Sequence, residues 1–167
     1  MQFLFEAFNT DNLPLAKRHA EHIINTLEGE AGPNFGDING DGNLQNPGDK
    51  VGVFGYLSEV QSAAESLKNN PLTDEQAEKV DAILQAKEAV ADTIQACFEA
   101  ASKVIASDTI DEAQSNAENF QALVAAISEG RDINGDGVVD PFAGEGGLVT
   151  LRQLAESIGW IDLISVE

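Results

Sequence analysis

Apolar residues recur at helical spacing along most of the 167-residue chain, and capping residues mark where predicted helices begin. Asp11 or Asn12, followed by Pro14, starts the first predicted helix, which ends at about Glu28. Its apolar face is formed by Leu13, Ala16, Ala20, Ile23 and Leu27. The spacing predicts one amphipathic helix here.

A loop rich in Gly, Asn, Asp and Pro follows over about 29–49, and a second helix ends near Asn70 and Pro71. Thr73 and Gln76 have the spacing of a capping box. They start the longest periodic stretch, which predicts a helix to about residue 106, either continuous or kinked. The apolar positions are Val53, Tyr56, Leu57, Val60, Ala64 and Leu67 in the second helix, and Val80, Leu84, Val90, Ile94, Phe98, Ala101 and Ile105 in the long one.

The last part of the chain repeats the order helix, loop, helix. Ser107 and Asp108 are the predicted cap of a helix that Gly130 ends, and a second acidic loop runs to about Gly147. The apolar positions are Ile110, Ala113, Ala117, Phe120, Val124 and Ile127 before this loop, and Leu151, Leu154 and Ile158 after it.

The predicted fold is all-α, a helical bundle of about five helices in one domain over 1–167. It consists of a helix–loop–helix unit at 11–70, a central helix at 73–107 and a second helix–loop–helix unit at 108–160. Aromatic residues make up only 6% of the chain, which suits closely packed helices better than a sheet.

The two predicted loops contain the same six residues. The sequence Asp-Ile-Asn-Gly-Asp-Gly occupies 37–42 and recurs at 132–137. Oxygen side chains at positions 1, 3 and 5, followed by Gly at position 6, are typical of a loop that binds a hard cation. A single copy would also fit a plain Asx turn, but two identical copies between helices favour two calcium sites.

Through position 9 each loop resembles the calcium loop of the EF-hand proteins. The resemblance implies that side chains at positions 1, 3, 5 and 9 and the backbone carbonyl at position 7 bind the metal. These residues are Asp37, Asn39, Asp41, Asn43 (carbonyl) and Gln45 in the first loop, and Asp132, Asn134, Asp136, Val138 (carbonyl) and Asp140 in the second.

The resemblance ends at position 12, where an EF-hand has a bidentate Glu and this chain has Gly48 and Ala143. We expect Asp49 and Glu145, one and two positions later, to act as displaced closing carboxylates. Position 8 is apolar in both loops, Leu44 and Val139, as it is in EF-hand loops that pair. The sequence therefore predicts that these two residues lie side by side.

The predicted ligands are all oxygen atoms. Zinc and copper prefer imidazole or thiolate, so they are not the expected metals. The high ligand number, with carbonyl oxygens included, favours calcium over magnesium.

The formal charge of −20, from nine basic and 29 acidic residues, disfavours nucleic acid and anionic membranes as partners. No apolar run is long enough to predict a membrane span. The segments at 19–22, 45–49 and 144–147 resemble segments of bacterial extracytoplasmic proteins. We therefore expect a secreted or extracytoplasmic domain that begins as an excised mature chain, with a cytoplasmic protein as the alternative.

His19 and His22 are the only histidines, three residues apart on the first helix. They could hold a transition metal or haem in a redox carrier, or bond to neighbouring backbone and carboxylate groups. No nucleophile or phosphate-binding motif is present, so we expect no enzyme. Cys97 is expected to be a small core residue.

The sequence therefore favours a structural or interaction domain in which two calcium ions staple helix-connecting loops. The alternatives are a calcium sensor that binds a target helix and the histidine-based carrier. Expected partners are calcium and either another protein or further domains of a longer chain.

Overall fold

A computed structural model of the protein describes residues 2–44, 50–141 and 144–164, with the side chains of 2, 3 and 159–164 left out. The described residues form helices and no strand, which confirms the all-α prediction. The helices are α1 (Gln2–Asn9), α2 (Leu13–Glu28), α3 (Gly52–Lys68), α4 (Asp74–Ala106), α5 (Ile110–Asn116), α6 (Phe120–Glu129) and α7 (Leu148–Ile164). Seven helices therefore occur in these ranges, where the sequence predicted about five.

Two of the predicted helix starts are confirmed by capping contacts. The Asn12 side chain accepts a hydrogen bond from the Leu15 N–H and caps α2, with Pro14 in its first turn. Thr73 and Gln76 bond reciprocally, at 2.9 and 3.2 Å, in the predicted capping box. From this box α4 runs as one helix of 33 residues.

The single helix predicted after residue 107 is wrong, because the chain turns between α5 and α6 over 117–119. The α5 cap is also one residue later than predicted. Thr109, in an extended conformation, accepts from the Glu112 N–H, and the Asp108 N–H donates to the Glu112 carboxylate. The additional helix α1 comes from the apolar N-terminal stretch, where Leu4 and Ala7 are fully buried.

The chain divides into two compact units. The first comprises Met1–Tyr56 and Ile94–Leu123, and the second comprises Leu57–Thr93 and Val124–Glu167. The loop between α2 and α3 therefore belongs to the first unit, and the loop between α6 and α7 belongs to the second. The assignment of one domain to 1–167 stays a prediction.

The core of each unit consists mainly of aliphatic side chains. In the first unit α2 packs on α1 and α5, and Cys97 is buried as expected, so that desolvation raises its pKa to about 11. The main buried residues are Leu4, Ala16, Ala20, Ile24, Ile94, Val104 and Phe120 in the first unit, and Leu57, Ala64, Val80, Ala86, Val90, Leu151 and Ile158 in the second. The predicted apolar position Tyr56 is instead 46% exposed.

Candidate metal-binding loops

Loop one connects α2 to α3, and its two ends meet at a pair of glycines. Gly29 ends α2 with φ +71°, and a β-carbon there would overlap the carbonyl of Val51. A β-carbon on Gly52 would in turn overlap the backbone of Gly29. We call this close approach of the two loop ends the neck of the loop. The Glu30 N–H donates to the Lys50 carbonyl at 2.8 Å across the neck. Only glycine permits such a close approach of two backbones.

Loop two connects α6 to α7 and has the same neck. Gly130, at φ +85°, and Gly147 lie so close that a β-carbon on either would overlap the opposite backbone. The Arg131 N–H donates to the Glu145 carbonyl at 2.8 Å, in the position of the Glu30 to Lys50 bond. The neck glycines therefore define equivalent ends for the two loops.

Measured from these necks, the loops differ in one place. From the first Asp of the repeat to the second neck glycine, Asp37 to Gly52 and Asp132 to Gly147, each loop spans 15 positions. From the first neck glycine to that Asp, loop one spans eight positions and loop two only two. Loop one therefore has six extra residues before its repeat, 31–36.

In loop one the repeat folds around its first aspartate. Asp37 Oδ1 accepts from the N–H groups of Gly40 and Asp41 at 3.0 and 3.1 Å, and Oδ2 accepts from the Gly42 N–H at 2.9 Å. Asn39 Oδ1 accepts from the same Asp41 N–H at 2.8 Å. Because Asp37 and Asn39 share one donor, their oxygens lie on the same side of the loop.

Loop two has the same bonds between equivalent atoms. Asp132 Oδ1 accepts from Gly135 and Asp136 at 2.6 and 3.1 Å, and Oδ2 accepts from Gly137 at 2.8 Å. Asn134 Oδ1 accepts from the Asp136 N–H at 2.8 Å. The two copies of the repeat therefore adopt one local structure in different surroundings.

The carboxylate at position 5 continues the pattern in both loops. Asp41 Oδ1 accepts from the Asn43 N–H, and Asp136 Oδ1 accepts from the Val138 N–H, each at 2.8 Å. In loop one, the buried Nδ2 of Asn39 at position 3 has no hydrogen-bond partner among the described residues. In each loop the side-chain oxygens of positions 1, 3 and 5 therefore all accept hydrogen bonds from backbone N–H groups of the same loop.

Glu145 reaches back to the start of loop two, although it lies two positions beyond the EF-hand closing position. Only 2% of it is exposed. Its Oε1 accepts from the N–H groups of Ile133 and Asn134 at 2.9 and 3.0 Å, and its Oε2 accepts from the Asp140 N–H at 2.9 Å. Glu145 therefore braces the backbone of the loop, and direct contact with a metal stays a prediction.

In loop one the equivalent brace comes from α2. Glu21, which is fully buried, accepts through Oε2 from the N–H groups of Ile38 and Asn39 at 3.1 and 3.2 Å. These are the same two loop positions that Glu145 binds in loop two. Lys50 stands at the position of Glu145, and it is exposed and paired with Glu30 instead. A buried carboxylate is thus present at both loops but comes from different parts of the chain.

A polar face of α2 holds the six extra residues of loop one. Asn25, 1% exposed, binds Gly36 through both its amide nitrogen and its oxygen, each at 3.0 Å. One turn further along the helix, Glu28 accepts from the Asn34 side chain at 2.8 Å. Arg18, Glu21, Asn25 and Glu28 follow helical spacing, so they form one continuous face.

Arg18 pairs with Asp41 of loop one. Its Nε and Nη2 both lie 2.9 Å from Asp41 Oδ2. The Asn43 N–H, followed by the Arg18 guanidinium, lowers the pKa of Asp41 below its usual value. Within the described ranges, no basic side chain pairs with Asp37, Asp132 or Asp136.

Sequence reasoning missed Glu21. It lies beside the apolar residues Ala20 and Ile24 on the buried side of α2, where an unpaired carboxylate would be unfavourable. An acidic residue at a core position, two turns before an acidic loop, is a signal that could have identified it. Asn25 carries the same signal one turn later.

Two predicted ligands, Gln45 and Asp49, lie outside the described residues. Leu44 is half-exposed in the first unit and Val139 belongs to the second, so their pairing stays a prediction. In the described ranges, no group of three or more His, Cys, Asp or Glu side chains is placed to hold a metal ion. The described part of each repeat instead contains two Asp carboxylates and one Asn side-chain oxygen, and the carbonyl ligands stay a prediction.

The two histidines are not joined by a third ligand of those types in the described structure. Burial, followed by the neighbouring His22, lowers the pKa of His19. His22 itself is exposed on α2.

Comparison with protein-family models, curated proteins and solved structures gave no match for this chain. The candidate site therefore rests on the geometry of its own residues. Among the described helices, none is both long enough and apolar enough to cross a membrane.

Proposed function

We propose that this protein binds two calcium ions, one in each loop, and that the ions staple the loops to serve a structural or interaction role. The observation that carries this proposal is the matched set of hydrogen bonds in loops one and two. In both, backbone N–H groups fix the carboxylates of positions 1 and 5 and the side-chain oxygen of position 3 by equivalent hydrogen bonds.

The chemistry of this donor set fits calcium. Calcium takes six to eight oxygen ligands in flexible geometry, and carboxylates held by backbone N–H groups keep oxygen lone pairs for a cation. The proposed ligands in loop one are Asp37, Asn39, Asp41, the Asn43 carbonyl, Gln45 and Asp49. In loop two they are Asp132, Asn134, Asp136, the Val138 carbonyl, Asp140 and Glu145.

A bound ion would stabilise the folded chain by opposing two costs. Ordering long irregular loops loses conformational entropy, and like charges within each loop repel one another. A ligand that binds only the folded state stabilises it by an amount that grows with the logarithm of the free ligand concentration relative to the dissociation constant. With dissociation constants of about 0.1–1 mM, typical of extracellular calcium modules, such sites would fill at extracytoplasmic calcium levels. We therefore propose a secreted or extracytoplasmic, non-enzymatic protein.

A calcium sensor is the second candidate, and an apolar cavity in the second unit favours it. The cavity measures about 300 Å³ and lies among α3, α4 and α7, lined mainly by Val60, Leu67, Ile83, Leu151 and Ile158. Helix α7 begins directly after loop two, so metal binding there could alter the cavity. A sensor would use this change to admit a target helix.

Calcium titration monitored by an environment-sensitive apolar dye, together with thermal melts, separates the two candidates. A staple predicts a higher melting temperature with little change in dye fluorescence. A sensor predicts a large rise in dye fluorescence on calcium binding. Absence of any calcium effect at several millimolar would contradict both.

A further inference from the structure

We propose that Arg18 competes with a calcium ion for the Asp41 carboxylate in loop one. This competition makes the calcium affinity of loop one weaker than that of loop two, so loop two fills first. This inference rests on the proposed calcium function. It concerns the order in which the two sites fill, which the identical repeats would not suggest.

The geometry at Asp41 carries the inference. Its Oδ2 accepts a hydrogen bond from Arg18 Nε and lies 2.9 Å from both Nε and Nη2 of the guanidinium. Its Oδ1 accepts hydrogen bonds from the backbone N–H and the side-chain amide of Asn43 at 2.8 and 3.1 Å. Both oxygens of a proposed ligand are therefore engaged, one of them by a positive charge. A metal ion in loop one must displace the guanidinium or share the carboxylate with it.

Loop two has no such competitor among the described residues. Asp136 Oδ1 accepts a hydrogen bond from the Val138 N–H, and among the described residues no basic side chain pairs with this carboxylate. Counting back from the neck glycine, Asn119 occupies the position that Arg18 has before loop one. Asn119 precedes the first residue of α6, so loop two lacks the helical turn from which Arg18 reaches its loop.

The charge of the competitor does not change with pH, because a guanidinium stays protonated throughout the range in which proteins fold. The competition depends on ionic strength, since the Arg18 and Asp41 side chains are 42% and 27% exposed. An ion pair with this exposure is worth little, so we expect a modest ratio of affinities. Removing it should tighten loop one by about twofold to fivefold.

Site-resolved calcium titration tests the inference on the full chain. The amide signals of Gly42 and Gly137 report loops one and two separately in two-dimensional NMR spectra, because each N–H donates to the first aspartate of its loop. In the wild type Gly137 should saturate at lower calcium than Gly42. In the Arg18→Gln variant the Gly42 curve should shift to lower calcium, while the Gly137 curve stays in place.

Lys79→Gln is the matched control. It removes one positive charge that pairs with Glu75 on α4 and forms no hydrogen bond or ion pair with the described residues of either loop. It should leave both curves unchanged. A common midpoint for the two glycines, or a Gly42 midpoint insensitive to Arg18→Gln, would overturn the inference while leaving the calcium proposal intact. If neither glycine responds to millimolar calcium, the proposed function itself fails.

Discussion

The two loops share one sequence of six residues and one set of hydrogen bonds, yet each is held by different neighbours. Loop two is short and is braced by its own Glu145. Loop one has six extra residues, is braced by Glu21 of α2, and has Arg18 on its second aspartate. The repeat therefore specifies the turn, while the surrounding chain specifies how the turn is anchored.

The extra residues explain why the brace can come from a helix. Glu21 lies eight positions before the neck glycine, about two helical turns away. Six added residues let loop one fold back along α2 far enough to reach it, with Asn25 holding Gly36 on the way. In loop two the corresponding position is Ala122, which offers no acceptor.

Removing the braces should give the largest effect. Glu145→Ala and Glu21→Ala each leave backbone N–H groups without their acceptor in a poorly hydrated site. Each should lower the free energy of unfolding by about 3 kcal/mol, measured by urea denaturation in chelator. Glu59→Ala, on an exposed part of α3, is the control and should change stability by less than about 0.5 kcal/mol. If only one brace matters, the proposed equivalence of Glu21 and Glu145 is wrong.

The necks should be equally sensitive to an added methyl group. Gly29→Ala and Gly130→Ala combine positive φ with overlap against backbone, so each should destabilise by about 3 kcal/mol. Gly144→Ala is a matched control, because Gly144 has φ +72° and open space around it. It should lose only about 1 kcal/mol from backbone strain. Similar losses at all three glycines would mean that close approach at the necks is unimportant.

Removing calcium from one site should have a smaller effect than losing a brace or a neck glycine, and the total effect of chelation should divide between the loops. For a dissociation constant of about 0.1 mM and about 2 mM calcium, each site adds roughly 2 kcal/mol. Chelation should then lower the melting temperature by about 4–8 °C per site. In Asp37→Asn or Asp132→Asn the chelator-induced shift should be about half that of the wild type. A full shift in either variant would show that its loop contributes nothing.

Acid should reveal the smallest difference between the loops. The pKa of Asp41 is lower in the folded chain than in the unfolded one, so its pairing adds stability above the unfolded value of about 3.9. That contribution disappears as the pH falls through the folded pKa. In chelator, the urea midpoints of wild type and Arg18→Gln should therefore differ slightly near neutral pH and converge once the pH falls below the folded pKa of Asp41. A difference that persists in acid would have another cause.

The sequence predicted the helices and the repeat well because both depend on local rules. Asn12 and the Thr73–Gln76 capping box act within one helical turn, and the Asp37 and Asp132 turns close within five residues. The break between α5 and α6 was missed because an apolar spacing continues across residues 117–119. The difference between the braces could not be predicted either, since it depends on how a loop folds back on the helix before it. Glu21 had only its position among apolar residues as a signal.

Counting bound ions by isothermal titration calorimetry tests the central claim most directly. Wild-type protein stripped of metal should bind two calcium ions per chain, and Asp37→Asn or Asp132→Asn should each bind one. Magnesium at the same concentration should bind more weakly, because it demands stricter octahedral geometry. No heat of binding at millimolar calcium, or an unchanged count of two in either variant, would contradict the account.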